Sequence, residues 1–305
     1  MNFFVSLSNM SVVLTGIAVG YLANRLGILG GETDRKLTQL LLTITLPAMS
    51  LGAVASSEDL PDLAMLLEVL MAAAAFYLVS FTVAGVVSRL VGGTDERRGA
   101  CRFALCFPNV GFIGIPVCTA FLGDGAMIYA VILTLPFNII SYAFGPMILT
   151  GGFKNFRVKE LLNPAVVTSV AALFMTLLRF HPPELVGNCL NFVGDITVPL
   201  SLVVIGSLLA KTSLREVMGS PLLWGLAAVR LIVLPALLGL ALRPLHLSAM
   251  AANVPTLQIS MPVAANGSML AVQYGGDQEG MARITFLTTL CSLVTVPVMA
   301  SFLLV

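Results

Sequence analysis

Charge is what this chain has least of. Only 10% of its 305 residues are Asp, Glu, Lys or Arg, against about 25% in an ordinary soluble domain. Hydrophobic residues make up 58%, and the mean hydropathy is +0.98. No soluble core of this length hides so much apolar surface, so an all-α integral membrane protein is expected. The net charge is +1, with no basic stripe and no aromatic–basic interleaving, which excludes a nucleic-acid partner. Histidine is nearly absent: His181 and His246 are the two, and both fall in short connections, which argues against a metalloenzyme. The five cysteines, Cys101, Cys106, Cys118, Cys189 and Cys291, show no CxxC spacing. They read as small bilayer-buried fillers rather than disulfides or zinc ligands. There is no Walker sequence and no stretch long enough for a soluble domain, so ATP hydrolysis within the chain is excluded. HExxH, paired aspartate-rich motifs and a Ser/His dyad at membrane depth are missing too, which counts against an intramembrane enzyme. Met1 to Ser8 lacks a basic n-region and a small-residue cleavage site, so the first apolar stretch is expected to be a retained span.

What the chain has is apolar windows of spanning length, about 20 residues each. Ten are expected: Asn9–Leu26, Leu37–Ser56, Leu63–Val91, Ala100–Leu122, Gly125–Leu149, Asn163–Phe180, Leu185–Ala210, Leu222–Leu242, Ala249–Tyr274 and Met281–Leu304. Basic residues set the orientation. One set of connections holds Arg25, Arg35, Lys36, Arg89, Arg97, Arg98, Arg102, Lys154, Arg157, Lys159, Lys211, Arg215 and Arg283; the opposite set holds Arg179 and Arg243. A missed or invented span would scramble this asymmetry, because every later loop would change sides. The expectation is a multi-pass protein of the cytoplasmic (plasma) membrane, surrounded by lipid, with both termini outside and the basic loops in the cytoplasm.

The chain also repeats itself at about half its length. Ile44-Thr45-Leu46-Pro47 recurs as Ile196-Thr197-Val198-Pro199. Pro108 and Asn109 precede a Gly123-Asp124 turn, as Pro262 and Asn266 precede Gly275-Gly276-Asp277. Five spans is an odd number, so two such copies, residues 1–150 and 151–305, cross in opposite directions. Inverted repeats with paired broken helices near the midplane are the plan of secondary transporters. The fourth span carries two prolines and two glycines between Pro108 and Pro116 and cannot continue as a regular helix. The ninth is broken less severely, at Pro255 and at Ser260-Met261-Pro262. Freed backbone groups at this depth are tolerated only where they line a cavity or are buried in protein. Half-helix N-termini meeting there suit a carboxylate, and half-helix C-termini suit a cation. Asn109 and Asn266 beside the breaks can each donate to an anion. The competing structural reading is that each amide merely caps freed backbone.

Two charges remain inside spans. Asp195 lies near the middle of the seventh and Arg230 near the middle of the eighth, where a charge costs roughly 2.5 to 3.5 kcal/mol to insert. Either they pair with each other, or Arg230 attracts an anionic substrate and Asp195 carries a coupling proton. Glu68, about a turn and a half into the third span, faces a vestibule or snorkels. Asp277, Glu279 and Arg283 read as interfacial.

The stretch Pro108-Asn109-Val110-Gly111-Phe112-Ile113-Gly114-Ile115-Pro116 resembles the asparagine-glycine signature of the auxin efflux carrier family, which contains bacterial malonate and malate permeases and plant auxin exporters. Leu46-Pro47-Ala48, Asn163-Pro164, Val198-Pro199-Leu200 and Met261-Pro262 through Asn266 to Gln273-Tyr274-Gly275-Gly276-Asp277 match further landmarks in order, over nearly the whole chain. The resemblance implies ten helices in two inverted five-helix repeats, with crossing fourth and ninth helices, as in bile-acid symporters and sodium–proton antiporters. It implies a scaffold of helices 1, 2, 6 and 7 and a mobile transport domain of helices 3–5 and 8–10. It also implies substrate contacts at the crossover, here at Asn109 and Asn266 with Pro108, Gly111 and Pro262 around them. Asp195 departs from the small apolar residue usual in the family, and the long cytoplasmic loop of the plant members is absent.

The reading is a secondary active transporter of small organic anions, working by elevator-type alternating access. No cofactor is expected beyond H⁺ or Na⁺ as coupling ion. Arg230 joins the substrate site, Asp195 and Glu68 serve coupling or gating, and a homodimer through the scaffold helices is the assembly left open. A sodium-coupled bile-acid-type symporter is the alternative; a channel or an intramembrane enzyme ranks below both.

Overall fold

A computed structural model describes residues 15–56, 63–151, 164–210 and 217–303. The start of the first expected span, Lys154, Arg157, Lys159, Asn163, Lys211, Arg215 and Leu304 lie outside the described residues. Among those described, every regular element is helical. Helix α1 covers 15–25. Then follow α2 (Gly31–Ala55), α3 (Leu63–Leu90), α4 (Asp95–Cys106), α5 (Val110–Leu122) and α6 (Ala126–Thr150). The second half holds α7 (Pro164–Leu177), α8 (Glu184–Ala210), α9 (Pro221–Leu245), α10 (Ala249–Ile259), α11 (Asn266–Tyr274) and α12 (Gln278–Leu303). Six of these, α2, α3, α6, α8, α9 and α12, are long and apolar enough to cross a membrane.

Proline shapes several of them. A proline ring clashes with the carbonyl four residues back and leaves it without a donor. In α2, α5 and α9 the chain answers with a wider π-helical turn: Leu41–Thr45, Val110–Gly114 and Val229–Val233. Each ends two residues before a proline, namely Pro47, Pro116 and Pro235. The carbonyl that Pro116 strips, that of Phe112, is taken by the Ser201 hydroxyl of α8 at 3.1 Å. Pro255 behaves otherwise. It sits inside α10 without ending it, so the expected break there is absent. The ninth-span interruption is instead confined to residues 260–265 and is as complete as that of the fourth.

Starts and stops follow local chemistry. Thr94 caps α4, its hydroxyl accepting from the amide of Arg97. Asp277 does the same for α12, accepting from Gly280 at 2.8 Å. The polar run from Gly31 is already helical, so α2 begins six residues before the expected Leu37. In α8 the helix is interrupted by a turn at 195–196.

Helix α2 packs most closely on α7 and α8, and α6 joins α4, α5, α10 and α11. Helices α1 and α8 meet backbone to backbone. A Cβ at Gly20 would stand 1.9 Å from the Val203 carbonyl oxygen, and one at Gly206 1.9 Å from that of Ile17. Small residues at such crossings are what allow close helix approach in a bilayer. Around the first break an aromatic cluster forms, with the Phe107 ring 4.7 Å from Phe103 and edge-on to Phe137 at 6.1 Å. Three of the five cysteines, Cys101, Cys106 and Cys118, are buried as expected of fillers, but Cys189 is exposed, on the outer face of α8.

Candidate functional site

The two helix breaks cross. Pro108 and Val263 form an isolated antiparallel bridge. Asn109 N donates to the Pro262 carbonyl at 2.7 Å, and Ala264 N donates to that of Phe107 at 2.9 Å. Each broken segment thus supplies the backbone partners that the other's interruption removed, which satisfies the demand of a buried irregular backbone.

At this crossing α5 and α11 begin. Asn109 is the N-cap of α5, its Oδ1 accepting from Phe112 N at 3.2 Å. Its structural reading as a cap therefore holds for the oxygen. The Nδ2 has no hydrogen-bond partner among the described residues, although the residue is only 6% exposed, and it borders the cavities described next. Asn266 is the first residue of α11 and follows the N-cap position held by Ala265. Its Oδ1 is buried without a partner, and its amide lies against the Tyr142 hydroxyl. The two asparagines are not equivalent by register: the residue bridged to Pro108 is Val263, three before Asn266.

Two cavities meet at Asn109 and Ala265. The central one, about 50 Å³, is lined by Asn109, Gly111, Asn266, Thr134, Asn138 and Tyr142, with Leu46 and Ser50 of α2 and Ala165 of α7 closing it. None of its described lining residues is charged. At about 10–15 Å³ per water, it has room for a carboxyl-sized group. Asn138 is fixed by donating to Ser169 Oγ at 2.8 Å, which ties α6 to α7. The second cavity, about 390 Å³, runs from Asn109 and Ser268 past Thr285 and Thr289 to Thr38, Asp34 and Arg35. Asp34 is 2% exposed and accepts from Gly30 N and the Ser207 hydroxyl, at 3.0 and 2.8 Å.

The structure brings Asn109, Asn266 and Gly111 together in the central cavity. Pro108 and Pro262 are buried at the crossing and shape it without lining it. Arg230 is elsewhere. Its side chain is fully buried and donates to three main-chain carbonyls: Leu105 at 3.0 Å, Ile259 at 2.9 Å and Met261 at 3.2 Å. It lines neither cavity, which departs from its expected place among the substrate contacts. Asp195 is exposed on α8 and is not paired with Arg230 here. Glu68 reaches α10, accepting from the amide and the hydroxyl of Ser248, the N-cap of that helix. Its carboxylate stands at the positive end of a helix, rather than in a vestibule. Arg283 pairs with Glu279 one turn away at the surface.

Sequence reasoning missed Thr134, Asn138, Tyr142, Ser50 and Asp34. The polar residues of α6 and α2 are scattered singly through apolar runs and carry no motif. Asp34 sits in a charged stretch read as a connection. One signal was available: Thr134, Asn138 and Tyr142 recur every four residues, which puts them on one face of α6.

Comparison with known proteins agrees with this architecture. A family model described as membrane transport protein matches residues 5–156 and 153–300. An "Uncharacterized transporter" of Methanocaldococcus jannaschii is 24% identical over 300 residues, covering 93% of this chain and 94% of that protein. One of Methanothermobacter thermautotrophicus is 23% identical over 308 residues, 97% of this chain and 98% of its own. A Rhizobium meliloti protein named "Putative malonate transporter" is 24% identical over 296 residues, 92% and 90% of the two chains. With its broken, crossing helices and a match over nearly its whole length, the chain belongs to the membrane transport protein family of the auxin efflux carriers, and it is a multi-pass membrane transporter rather than an enzyme.

Proposed function

We propose that this protein carries small organic acids, with the substrate carboxylate bound at the crossover. The observation that supports this most is the convergence of two half-helix N-termini, α5 and α11, and of the Asn109 Nδ2, unpartnered among the described residues, on one small cavity whose described lining holds no acidic residue. Each N-terminus carries roughly half a positive charge and free amides. With no cationic side chain among the described lining residues, recognition of the anion falls to these dipoles and to Asn109, Asn266 and Tyr142. A malonate-sized dicarboxylate fits the reading well: one carboxylate in the central cavity, the rest of the molecule towards the larger one. The relative named for malonate transport points the same way.

Ten spans in two inverted halves, with α1, α2, α7 and α8 as a scaffold and α3–α6 and α9–α12 as the moving body, give the mechanism. The central cavity is closed by α2 and α7 on one side and by α5, α6 and α11 on the other, so sliding one body past the other would carry the site across the membrane. With the basic loops in the cytoplasm, the end of the larger cavity beside Arg35 lies towards the cytoplasmic side in this reading. A proton or ion gradient drives the cycle. Counterflow of labelled malonate in proteoliposomes, against a panel of mono- and dicarboxylates, tests the reading. Exchange by small carboxylates is expected; exchange by none of them would sink it.

A further inference from the structure

The amino ends of the half-helices face the cavity, while their carboxyl ends face Arg230. In an unbroken helix the Leu105 carbonyl would accept from the amide of Asn109, four residues on. That amide is given to Pro262 instead. The Ile259 carbonyl would likewise accept from Val263, whose amide donates to Thr288 Oγ1 at 3.2 Å. The crossing therefore leaves the Leu105 and Ile259 carbonyls without their helical donors, and Met261 presents a third from within the break. Arg230 takes all three, at 2.9 to 3.2 Å. No carboxylate among the described residues pairs with it; the ion pairs found lie at the surface, on other arginines.

Two helix C-termini converging carry roughly half a negative charge each. Oxygen acceptors alone, gathered from two broken helices, are the environment in which transporters of this plan hold a coupling cation. Here a guanidinium of unit charge matches that potential, and its fork of donors matches three fixed oxygens. The π-helical turn Val229–Val233 places it there.

We propose that Arg230 is a tethered cation: its guanidinium fills the cation position between the carboxyl ends of α4 and α10, so that no sodium ion binds at the crossover. The inference deepens the transport reading above and rests on it for the role of the crossover. Arg230 acts through the helix ends and not on the substrate, as a positioning residue. Removing its side chain would leave a cavity lined by three carbonyls, which a small cation can enter.

The test compares wild type with Arg230→Ala and Arg230→Lys, by thermal unfolding of purified protein and by malonate uptake in proteoliposomes. In wild type, replacing sodium with choline should change neither the midpoint nor, beyond twofold, the uptake rate. Arg230→Ala should unfold at lower temperature, and low-millimolar guanidinium should recover most of the loss and raise uptake several-fold, as a ligand of the native state does. The same guanidinium should leave wild type unchanged. Arg230→Lys keeps the charge and should remain indifferent to sodium, even where the alanine variant fails to insert. A tenfold sodium stimulation of wild type, a sodium response of Arg230→Lys, or an alanine variant deaf to guanidinium in both assays would overturn the proposal. Should wild type carry no carboxylate at all, the substrate reading fails, and the unfolding measurements still decide the role of Arg230.

Discussion

The amide of Asn109 donates to the carbonyl of Pro262 at 2.7 Å, and this bond fastens the break of α4–α5 to that of α10–α11. Holding the breaks together points the starts of α5 and α11 into one cavity and leaves the ends of α4 and α10 to Arg230. The same proline chemistry that prevents a continuous helix thereby sorts positive helix ends from negative ones.

Tyr142 gives a first prediction. Its hydroxyl lies against the Asn266 amide in the central cavity. Tyr142→Phe removes one neutral hydrogen-bonding group, worth about 0.5 to 1.5 kcal/mol. Malonate affinity, measured on purified protein, should fall by about 2- to 12-fold at 1.4 kcal/mol per decade, with no change in insertion.

Glu68 should behave differently. It caps α10 through Ser248 and lines neither crossover cavity. Glu68→Gln keeps the shape and removes the charge from a helix N-terminus, a loss of about 0.3 to 1 kcal/mol. The expected result is a small drop in unfolding temperature with substrate affinity unchanged. A large loss of affinity would mean that Glu68 takes part in binding.

The crossing of α1 and α8 yields a stability prediction. Gly206→Ala would drive a methyl group into the Ile17 backbone carbonyl, which cannot move aside as a flexible side chain could. Overpacking of this kind costs about 1 to 3 kcal/mol. The unfolding midpoint should fall by several degrees. A midpoint equal to that of wild type would show that these helices separate more easily than the packing implies.

Asp195 is exposed on α8 and lines neither crossover cavity. Asp195→Asn should leave equilibrium substrate affinity within twofold of wild type. A tenfold change in binding to the purified protein would place this side chain nearer the site than its position on α8 allows.

Much of the architecture was legible because it rests on features that composition and spacing reveal. Apolar windows marked the helices, and the two prolines and two glycines from Pro108 to Pro116 marked the first break. The pairing of breaks followed from Pro108 and Pro262. What could not be read was which freed group goes where. Pro255 and Pro262 look alike as prolines, yet only the second lies where another chain segment supplies backbone partners. Pairing of Arg230 with Asp195 was one of two open readings because both are charges at mid-span; sequence does not show that three main-chain carbonyls would claim the arginine. The cavity wall on α6 was missed because Thr134, Asn138 and Tyr142 are ordinary polar residues until the fold turns their common face towards the break.

The most direct test of the crossover as a carboxylate site is equilibrium binding of malonate to purified wild type, Asn109→Ala and Asn109→Asp. The alanine removes a donor to a charged group, worth about 1.5 to 3 kcal/mol. Affinity should therefore fall by roughly 10- to 150-fold. The aspartate should bind more weakly still, because it sets a second negative charge against the substrate in a poorly solvated cavity. If Asn109→Ala, inserted at normal levels, binds malonate as tightly as a wild type that binds it measurably, the crossover is not where the anion sits.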